Sequence, residues 1–193
     1  LDEVLNGADK VTIKIEKDGT CIISDDGRGF PVGCDEHGVP YPVKSCTKLY
    51  TSGKFNKKVK AYKVSAGLNG IGLVAVAGLS DTFNIISHRD GKAYEYNFTT
   101  DFNLHKINYT IKDPIPSNNL GTIISFKPSS KIFRSTEFDI AYIKERVRLV
   151  SILTSATVEL YIHDVLVSMD LDRSKLLEMF FEDAEEQSSY SFK

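Results

Sequence analysis

The fold of this chain is decided by Asp25-Asp26-Gly27-Arg28-Gly29-Phe30-Pro31 and by the residues that precede it. The stretch directly follows an apolar run, Cys21-Ile22-Ile23-Ser24, which predicts a β-strand that ends at Asp25. A carboxylate at the end of a strand is held rigidly and can accept a hydrogen bond from an exocyclic amine. Gly27 and Gly29 then allow the chain to turn sharply. A simpler interpretation, in which Asp25 only closes a strand-ending turn, stays open at this point.

A second glycine-rich motif, Gly67-Leu68-Asn69-Gly70-Ile71-Gly72, opens an apolar, alanine-rich segment that favours a helix from Ile71 to Leu79. Bare backbone N–H groups at the start of a helix bind phosphate. The two motifs therefore predict two halves of one nucleotide pocket, one for the base and one for the phosphates. Glycine-rich turns between a strand and a helix are also common without any nucleotide, so neither motif is specific alone.

The order of further motifs makes the pattern more specific. Ser52-Gly53-Lys54-Phe55 and Tyr62-Lys63-Val64-Ser65 lie between the two glycine motifs, and Gly121-Thr122 precedes a later predicted strand. In this order the motifs resemble the ATPase domain of bacterial type IIA topoisomerases, the gyrase B and topoisomerase IV ParE subunits of the GHKL ATPase superfamily. The resemblance runs from Leu1 to about Ile162. It implies that ATP and Mg²⁺ are the cofactors.

The resemblance also implies roles for individual residues. Asp25 would read the adenine amino group directly and through a water, and Thr122 would hydrogen-bond that water and the carboxylate. Glu3 and Arg28 would form a salt bridge over the pocket mouth, with the guanidinium near the base. Without the resemblance, Thr122 is an ordinary strand threonine and the second pair is a surface ion pair that contributes little.

The other implied ATP-binding residues form three groups. The turn after Asp25 contributes Gly27 and Gly29, and the apolar walls for the purine are Ile23, Phe30, Pro31 and Leu73. The triphosphate cradle consists of Gly67, Leu68, Asn69, Gly70, Ile71 and Gly72, with Lys54 as a mobile counter-charge and Tyr62 and Lys63 close by. The apolar walls can also be ordinary core, and the lysines at 57, 58, 60 and 63 can be a solvated basic surface. Bacterial relatives commonly carry His where Asn69 stands, and Asn can still donate to a phosphate.

No catalytic residue and no metal ligand is assigned within the chain. The family places its general-base Glu, and the Asn that holds Mg²⁺, on the helix just before Leu1. We therefore expect an N-terminally truncated fragment that is inactive by itself and whose parent is an ATPase. Asp2 and Glu3 lie further along that helix and would face elsewhere, so neither is assigned as the base.

The resemblance implies an ATP-hydrolysing subunit of a type II DNA topoisomerase, in which ATP binding closes a dimer gate during strand passage. The full-length enzyme would act on DNA, dimerise with itself and work with a cleavage subunit of the gyrase A/ParC type. The alternative is a non-hydrolysing GHKL switch module of the chaperone, mismatch-repair or histidine-kinase branch. Arg89 would be an outer contact for aminocoumarin antibiotics, or else a plain arginine of a hairpin turn.

The amino-acid composition separately limits the class of protein and its cellular environment. The chain has 26 acidic and 24 basic residues and a net charge of −2, whereas a dedicated DNA-binding domain is usually basic. Cys21, Cys34 and Cys46 are odd in number and lack metal-site spacing, which favours reduced thiols in an intracellular, cytoplasmic protein. No apolar stretch is long enough to span a membrane, and no signal peptide is visible.

The hydrophobic pattern predicts an α+β fold in a single domain over residues 1–193. Strands are expected at 11–16, 21–24, 82–88, 93–98, 106–111, 122–126, 158–162 and 165–169, and helices at 1–8, 43–50, 71–79, 137–153 and 173–182. Residues 31–66 would be an ATP lid, and 170–193 a tail that leads toward a transducer domain. The resemblance arranges these elements as a two-layer α/β sandwich of the GHKL (Bergerat) type, with helices on one face of a mainly antiparallel sheet.

Overall fold

A mixed β-sheet with helices is the central feature of the computed structural model, which describes residues 7–49, 70–154 and 156–167. Its strands are β1 (Lys10–Ile15), β2 (Cys21–Asp25), β3 (Ser80–Arg89), β4 (Lys92–Asp101), β5 (Lys106–Ile111), β6 (Ile115–Pro116), β7 (Gly121–Pro128), β8 (Thr157–Ile162) and β9 (Val165–Leu166). The helices are α1 (Tyr41–Thr47), α2 (Gly72–Gly78) and α3 (Ile140–Leu153). The predicted α+β sandwich is therefore confirmed.

The strand order explains how distant segments meet. The sheet runs β5-β4-β3-β7-β2-β1-β8-β9, with β6 also paired to β4. All pairings among the described strands are antiparallel except β1 with β8, which is parallel. Because β7 lies between β3 and β2, the end of β2 lies beside the beginning of β7 and the end of β3. This corner of the sheet contains the Asp25 motif.

The hairpin turn predicted at Arg89 is confirmed. Asp90 and Gly91 have φ of 54° and 74°, so both central residues of the β3–β4 turn are left-handed, as a two-residue Asp-Gly hairpin requires. His163 and Asp164 have φ of 50° and 67° at the β8–β9 turn, although neither is glycine. The last strand was predicted over residues 165–169, but β9 ends at Leu166. Residues 168 and 169 lie outside the described residues.

The main core lies between the sheet and the helices α1 and α2. Phe83 and Phe98 face each other edge-on, with ring centroids 5.7 Å apart, and Ile85 extends this layer. Val43 and Cys46 of α1 are buried in the same cluster. Burial raises the pKa of the Cys46 thiol to about 12. In the same way it raises the pKa of the buried Cys21 to about 11, whereas Cys34 is exposed.

Helix α1 lies inside the range proposed as a lid. It begins at Tyr41 and ends at Thr47, with Pro40 as the preceding residue and a second proline in its first turn. The turn before it is fixed by Asp35, whose carboxylate accepts hydrogen bonds from the backbone N–H of His37 and Val39. Residues 50–66 of that range lie outside the described residues, so the lid stays a prediction.

Helix α3 begins later than predicted, at Ile140 rather than residue 137. Asp139 is its N-cap and accepts a hydrogen bond from the backbone N–H of Tyr142 at 3.0 Å, a cap that the apolar periodicity alone did not show. Phe138 lies before the helix and packs against Phe126, with ring centroids 6.2 Å apart. The predicted helix at 173–182 and the tail at 170–193 lie outside the described residues, as do residues 1–6 of the first predicted helix. Of the described helices, none has the length and apolar composition needed to cross a membrane.

Candidate functional site

The centre of the candidate site is the carboxylate of Asp25 at the end of β2. Its Oδ1 atom accepts a hydrogen bond from the backbone N–H of Gly27 at 2.9 Å and another from the backbone N–H of Thr122 at 3.3 Å. Thr122 is buried, with 5% of its surface exposed. The structure thus brings together two residues that the sequence predicted as partners, and it shows their contact through the threonine backbone.

Gly121 allows this close approach of two strands. A Cβ atom at this position would overlap the carbonyl oxygen of Asp25 and lie 2.9 Å from the Cα of Asp26. The φ of Gly121 is 95°, a left-handed conformation that also favours glycine. A glycine at the first position of a strand is the sequence signal for such an approach. Gly121 is therefore a structural requirement of the site.

The end of β3 holds the glycine turn that follows Asp25. The Oγ of Ser87 donates a hydrogen bond to the carbonyl oxygen of Phe30 at 2.8 Å, and the guanidinium of Arg89 donates to that of Gly29 at 3.1 Å. Gly29 has a φ of 75°, and a Cβ atom there would lie only 2.5 Å from the carbonyl oxygen of His88. Sequence reasoning missed Ser87, although a serine that continues the apolar face of a strand is an available signal.

Asp26 joins the same turn to the start of the sheet. Its Oδ1 accepts hydrogen bonds from the backbone N–H groups of Asp9 and Lys10, both at 2.9 Å. The backbone N–H of Asp26 donates in return to the carbonyl oxygen of Lys10 at 3.3 Å. The second aspartate of the motif therefore fixes the chain just before β1, a role for which the sequence offered no distinct signal.

An apolar surface lies beside the Asp25 carboxylate. Ile23 is on the same face of β2 as Asp25, in a central strand, and yet 37% of its surface is exposed. Phe30 and Leu73 are partly buried and pack against one core cluster, which links the two predicted halves of the pocket. Pro31 is partly buried as well. The sheet surface at Ile23 is thus available to an apolar ligand face.

The described part of the predicted phosphate cradle lies at the start of α2. Gly70 has a φ of 60°, Ile71 is the residue before the helix, and Gly72 is its first residue. A Cβ atom at Gly72 would meet no atom within 4 Å, so the space in front of this backbone is open. The other predicted site residues, Glu3, Lys54, Tyr62, Lys63, Gly67, Leu68 and Asn69, lie outside the described residues.

A cavity of about 420 Å³ lies next to the glycine turn that follows Asp25. It is lined by Gly7, Asp26, Gly27, Arg28, Arg89, Asp90 and Leu120. The two arginines that the sequence placed around the pocket mouth therefore line one cavity. Arg89 also lies near the carboxylate of Asp90, at 3.7 Å, and its side chain is only partly exposed. Within the described residues, no three or more His, Cys, Asp or Glu side chains form a group that could hold a metal ion.

Comparison with known proteins gives matches to two kinds of topoisomerase subunit, although no family model matches the chain. The B subunit of DNA topoisomerase 4 from Staphylococcus epidermidis is 38% identical over 154 residues, 77% of this chain and 22% of that protein. The B subunit of DNA gyrase from Caulobacter vibrioides is 34% identical over 164 residues, 80% of the chain and 20% of that protein. The corresponding gyrase subunit of Borrelia hermsii is 32% identical over 187 residues, 94% of the chain and 27% of that protein.

These alignments cover most of this chain but only part of each relative. The chain spans about a fifth to a quarter of the length of the curated relatives it matches. The chain therefore belongs to the family formed by the B subunits of DNA gyrase and DNA topoisomerase 4.

Proposed function

We propose that the chain is the ATP-binding part of a type II DNA topoisomerase subunit. The observation that supports this most is the Asp25 carboxylate, which two backbone donors hold beside the exposed surface of Ile23. The subunit relationship comes from the similar proteins, which are named as the B subunits of DNA gyrase and DNA topoisomerase 4. In the full-length protein, ATP binding and hydrolysis would drive closure of a dimer gate while DNA passes.

The base would be selected by the orientation of Asp25. Since Gly27 and Thr122 both donate to Oδ1, the plane of the carboxylate is fixed and it offers an acceptor at a defined place. The exocyclic amine of adenine can donate to this acceptor, whereas guanine carries a carbonyl at the equivalent ring position and cannot. The aromatic and aliphatic surfaces of Phe30 and Ile23 would contact the faces of the purine.

The phosphates would lie at the start of α2. The backbone N–H groups of Gly70, Ile71 and Gly72, at the start of this helix, would donate to phosphate oxygens. Mg²⁺ would neutralise part of the triphosphate charge when it is bound. DNA and a cleavage subunit of the gyrase A/ParC type would be partners of the full-length protein.

Calorimetry with a non-hydrolysable ATP analogue and with GTP tests this proposal. We expect the chain to prefer the ATP analogue, and Asp25→Asn to weaken its binding by about 1–3 kcal/mol, because a charged acceptor is lost from a buried hydrogen bond. The amide oxygen of the asparagine can still accept from Gly27 and Thr122, so the turn is preserved. Asp113→Asn, at an exposed site, is the matched control. Equal affinity for GTP, or an unchanged affinity in Asp25→Asn, would contradict the base-reading role.

A further inference from the structure

We infer that Ser87 is a positioning residue for the base half of the nucleotide site, an inference that rests on the proposed function. Ser87 lies on β3, one strand beyond Thr122. In the sheet register it is opposite Thr122 of β7, and Thr122 in turn is next to Asp25 at the end of β2. The three side chains form a polar row across three adjacent strands, at the corner that holds the glycine turn.

The contact of Ser87 with the turn is close and specific. Its Oγ donates to the carbonyl oxygen of Phe30 at 2.8 Å. A Cβ atom built on Gly29 would lie 3.1 Å from the same Oγ, which shows that the turn lies directly on this side chain. Phe30 is a predicted wall for the purine, and its ring packs against the core. The hydroxyl of Ser87 therefore fixes the main chain of the residue whose ring would contact the base.

The chemistry of the position supports a role beyond core packing. Phe83 and Ile85 precede Ser87 on the same face of β3, and both are apolar and buried. Ser87 has none of its surface exposed, and a buried hydroxyl is destabilising unless it is hydrogen-bonded. A small apolar residue would fill this space without that requirement. The serine instead donates to the Phe30 carbonyl oxygen, and this hydrogen bond holds the turn in one arrangement.

A positioning role and a purely structural role of Ser87 predict changes in different measurements. If Ser87 only stabilised the fold, its loss would lower the unfolding temperature and leave the affinity of the folded protein unchanged. If it positions the turn, its loss also weakens nucleotide binding by the folded protein. Because Phe30 belongs to the base half, the weakening would be the same for ADP and for an ATP analogue, which differ only in the phosphate half.

The experiment compares Ser87→Ala with Ser129→Ala. Ser129 is equally buried, and its Oγ donates to the Asp81 carboxylate at 2.6 Å, just after the opposite end of β7 from Thr122. Along an extended strand of that length the two sites are roughly 20 Å apart. Thermal unfolding of each protein gives the folded fraction, and calorimetry gives the affinity for ADP and for the non-hydrolysable ATP analogue.

We expect Ser87→Ala to bind both nucleotides about three- to tenfold more weakly, as the loss of one neutral hydrogen bond predicts. Ser129→Ala lowers the unfolding temperature with affinities within twofold of the parent. Ser87→Thr keeps a hydroxyl, so a folded Ser87→Thr protein should bind both nucleotides as tightly as the parent. The comparison of the two alanine variants stands without this third variant. Equal affinities in Ser87→Ala and the parent would overturn the inference and leave the proposed function intact. If the parent chain binds neither nucleotide, the proposed function itself fails.

Discussion

The backbone N–H of Thr122 donates to the Asp25 carboxylate at 3.3 Å, although 97 residues of sequence separate them. This contact exists because the glycine before the threonine allows β7 to approach the carbonyl of Asp25. The carboxylate is thus oriented by the far strand as well as by its own turn. The candidate site is a product of the sheet topology, in which β7 lies between β2 and β3.

Gly121 lies so close to the Asp25 carbonyl that adding a single methyl group at this position should strongly lower the stability of the fold. We expect Gly121→Ala to destabilise the chain by more than about 3 kcal/mol, because left-handed backbone strain adds to a direct overlap with backbone atoms. Gly19→Ala is the control, since its φ is 84° but a Cβ atom there meets nothing within 4 Å. That variant should cost only about 1–2 kcal/mol. Urea unfolding of both proteins measures the difference, and equal losses would show that the overlap relaxes at little cost.

Much of this arrangement could be predicted from the sequence, because its local signals are strong. The Asp-Gly turn at 90–91 defined the β3–β4 hairpin, and the apolar run at 21–24 defined β2. The start of α3 was predicted three residues early because Asp139 is a cap, and apolar periodicity does not register caps. The burial of α1 was also not predicted, since its seven residues give too short a pattern to show a face.

The site was predictable only in part. Asp25 and the two glycine turns have recognisable spacing, so they were found from the sequence. Ser87 and Asp26 act through backbone groups of residues that are remote in sequence, at Phe30 and at Asp9 and Lys10. A hydrogen bond of this kind depends on strand order and register, which single-sequence patterns do not contain.

Arg89 gives a prediction about inhibitors. Aminocoumarins such as novobiocin would compete with ATP, and Arg89→Ala should weaken the drug more than the nucleotide if only the drug reaches this residue. The hydrogen bond from Arg89 to the Gly29 carbonyl adds a second expectation, a small loss of ATP affinity through the turn. Paired titrations with novobiocin and the ATP analogue measure both, with Arg134→Ala as an exposed control. An unchanged affinity for the drug would leave Arg89 as a support of the turn only.

Hydrogen exchange can locate the part of the lid range that responds to nucleotide. The amide of Lys44 donates to the carbonyl oxygen of Pro40 and that of Lys48 to Lys44, on a helix whose Val43 is buried. We expect these amides to be protected with and without the ATP analogue. The amides of Gly70 and Gly72 should gain protection only when a triphosphate is bound. Rapid exchange in α1 without nucleotide, and protection with it, would mean that this helix itself responds to nucleotide.

The turn before α1 predicts a pH dependence of stability. Lys44 Nζ lies 2.9 Å from the carboxylate of Asp35, and this hydrogen bond, with those from Val39 and His37, lowers the pKa of Asp35 from 3.8 to about 2. The stabilisation is therefore complete above pH 4 and is lost as the pH falls toward 2. Thermal unfolding of the parent and of Asp35→Asn should differ at pH 6 and converge near pH 2.

The control for that experiment is Asp18→Asn. Asp18 pairs with Lys127 at 3.2 Å in an exposed setting, and hydrogen bonds from Thr20 are the main reason that its pKa is lowered. Since exposed ion pairs contribute little, we expect this variant to follow the parent more closely at every pH. A gap between the parent and Asp35→Asn that stays constant down to pH 2 would show that the charge of Asp35 is not the cause.

The distance in sequence between Asp25 and Thr122 also determines when the candidate site can form during synthesis. A growing chain that has left the ribosome only as far as β4 already contains the whole Asp25 to Pro31 motif, but it has no β7 to complete the corner. Contacts between such remote segments form late in folding, because a long loop must close first. Under the proposed function, nucleotide would therefore stabilise only a chain whose synthesis has passed β7, and it would not assist the earlier stages of folding.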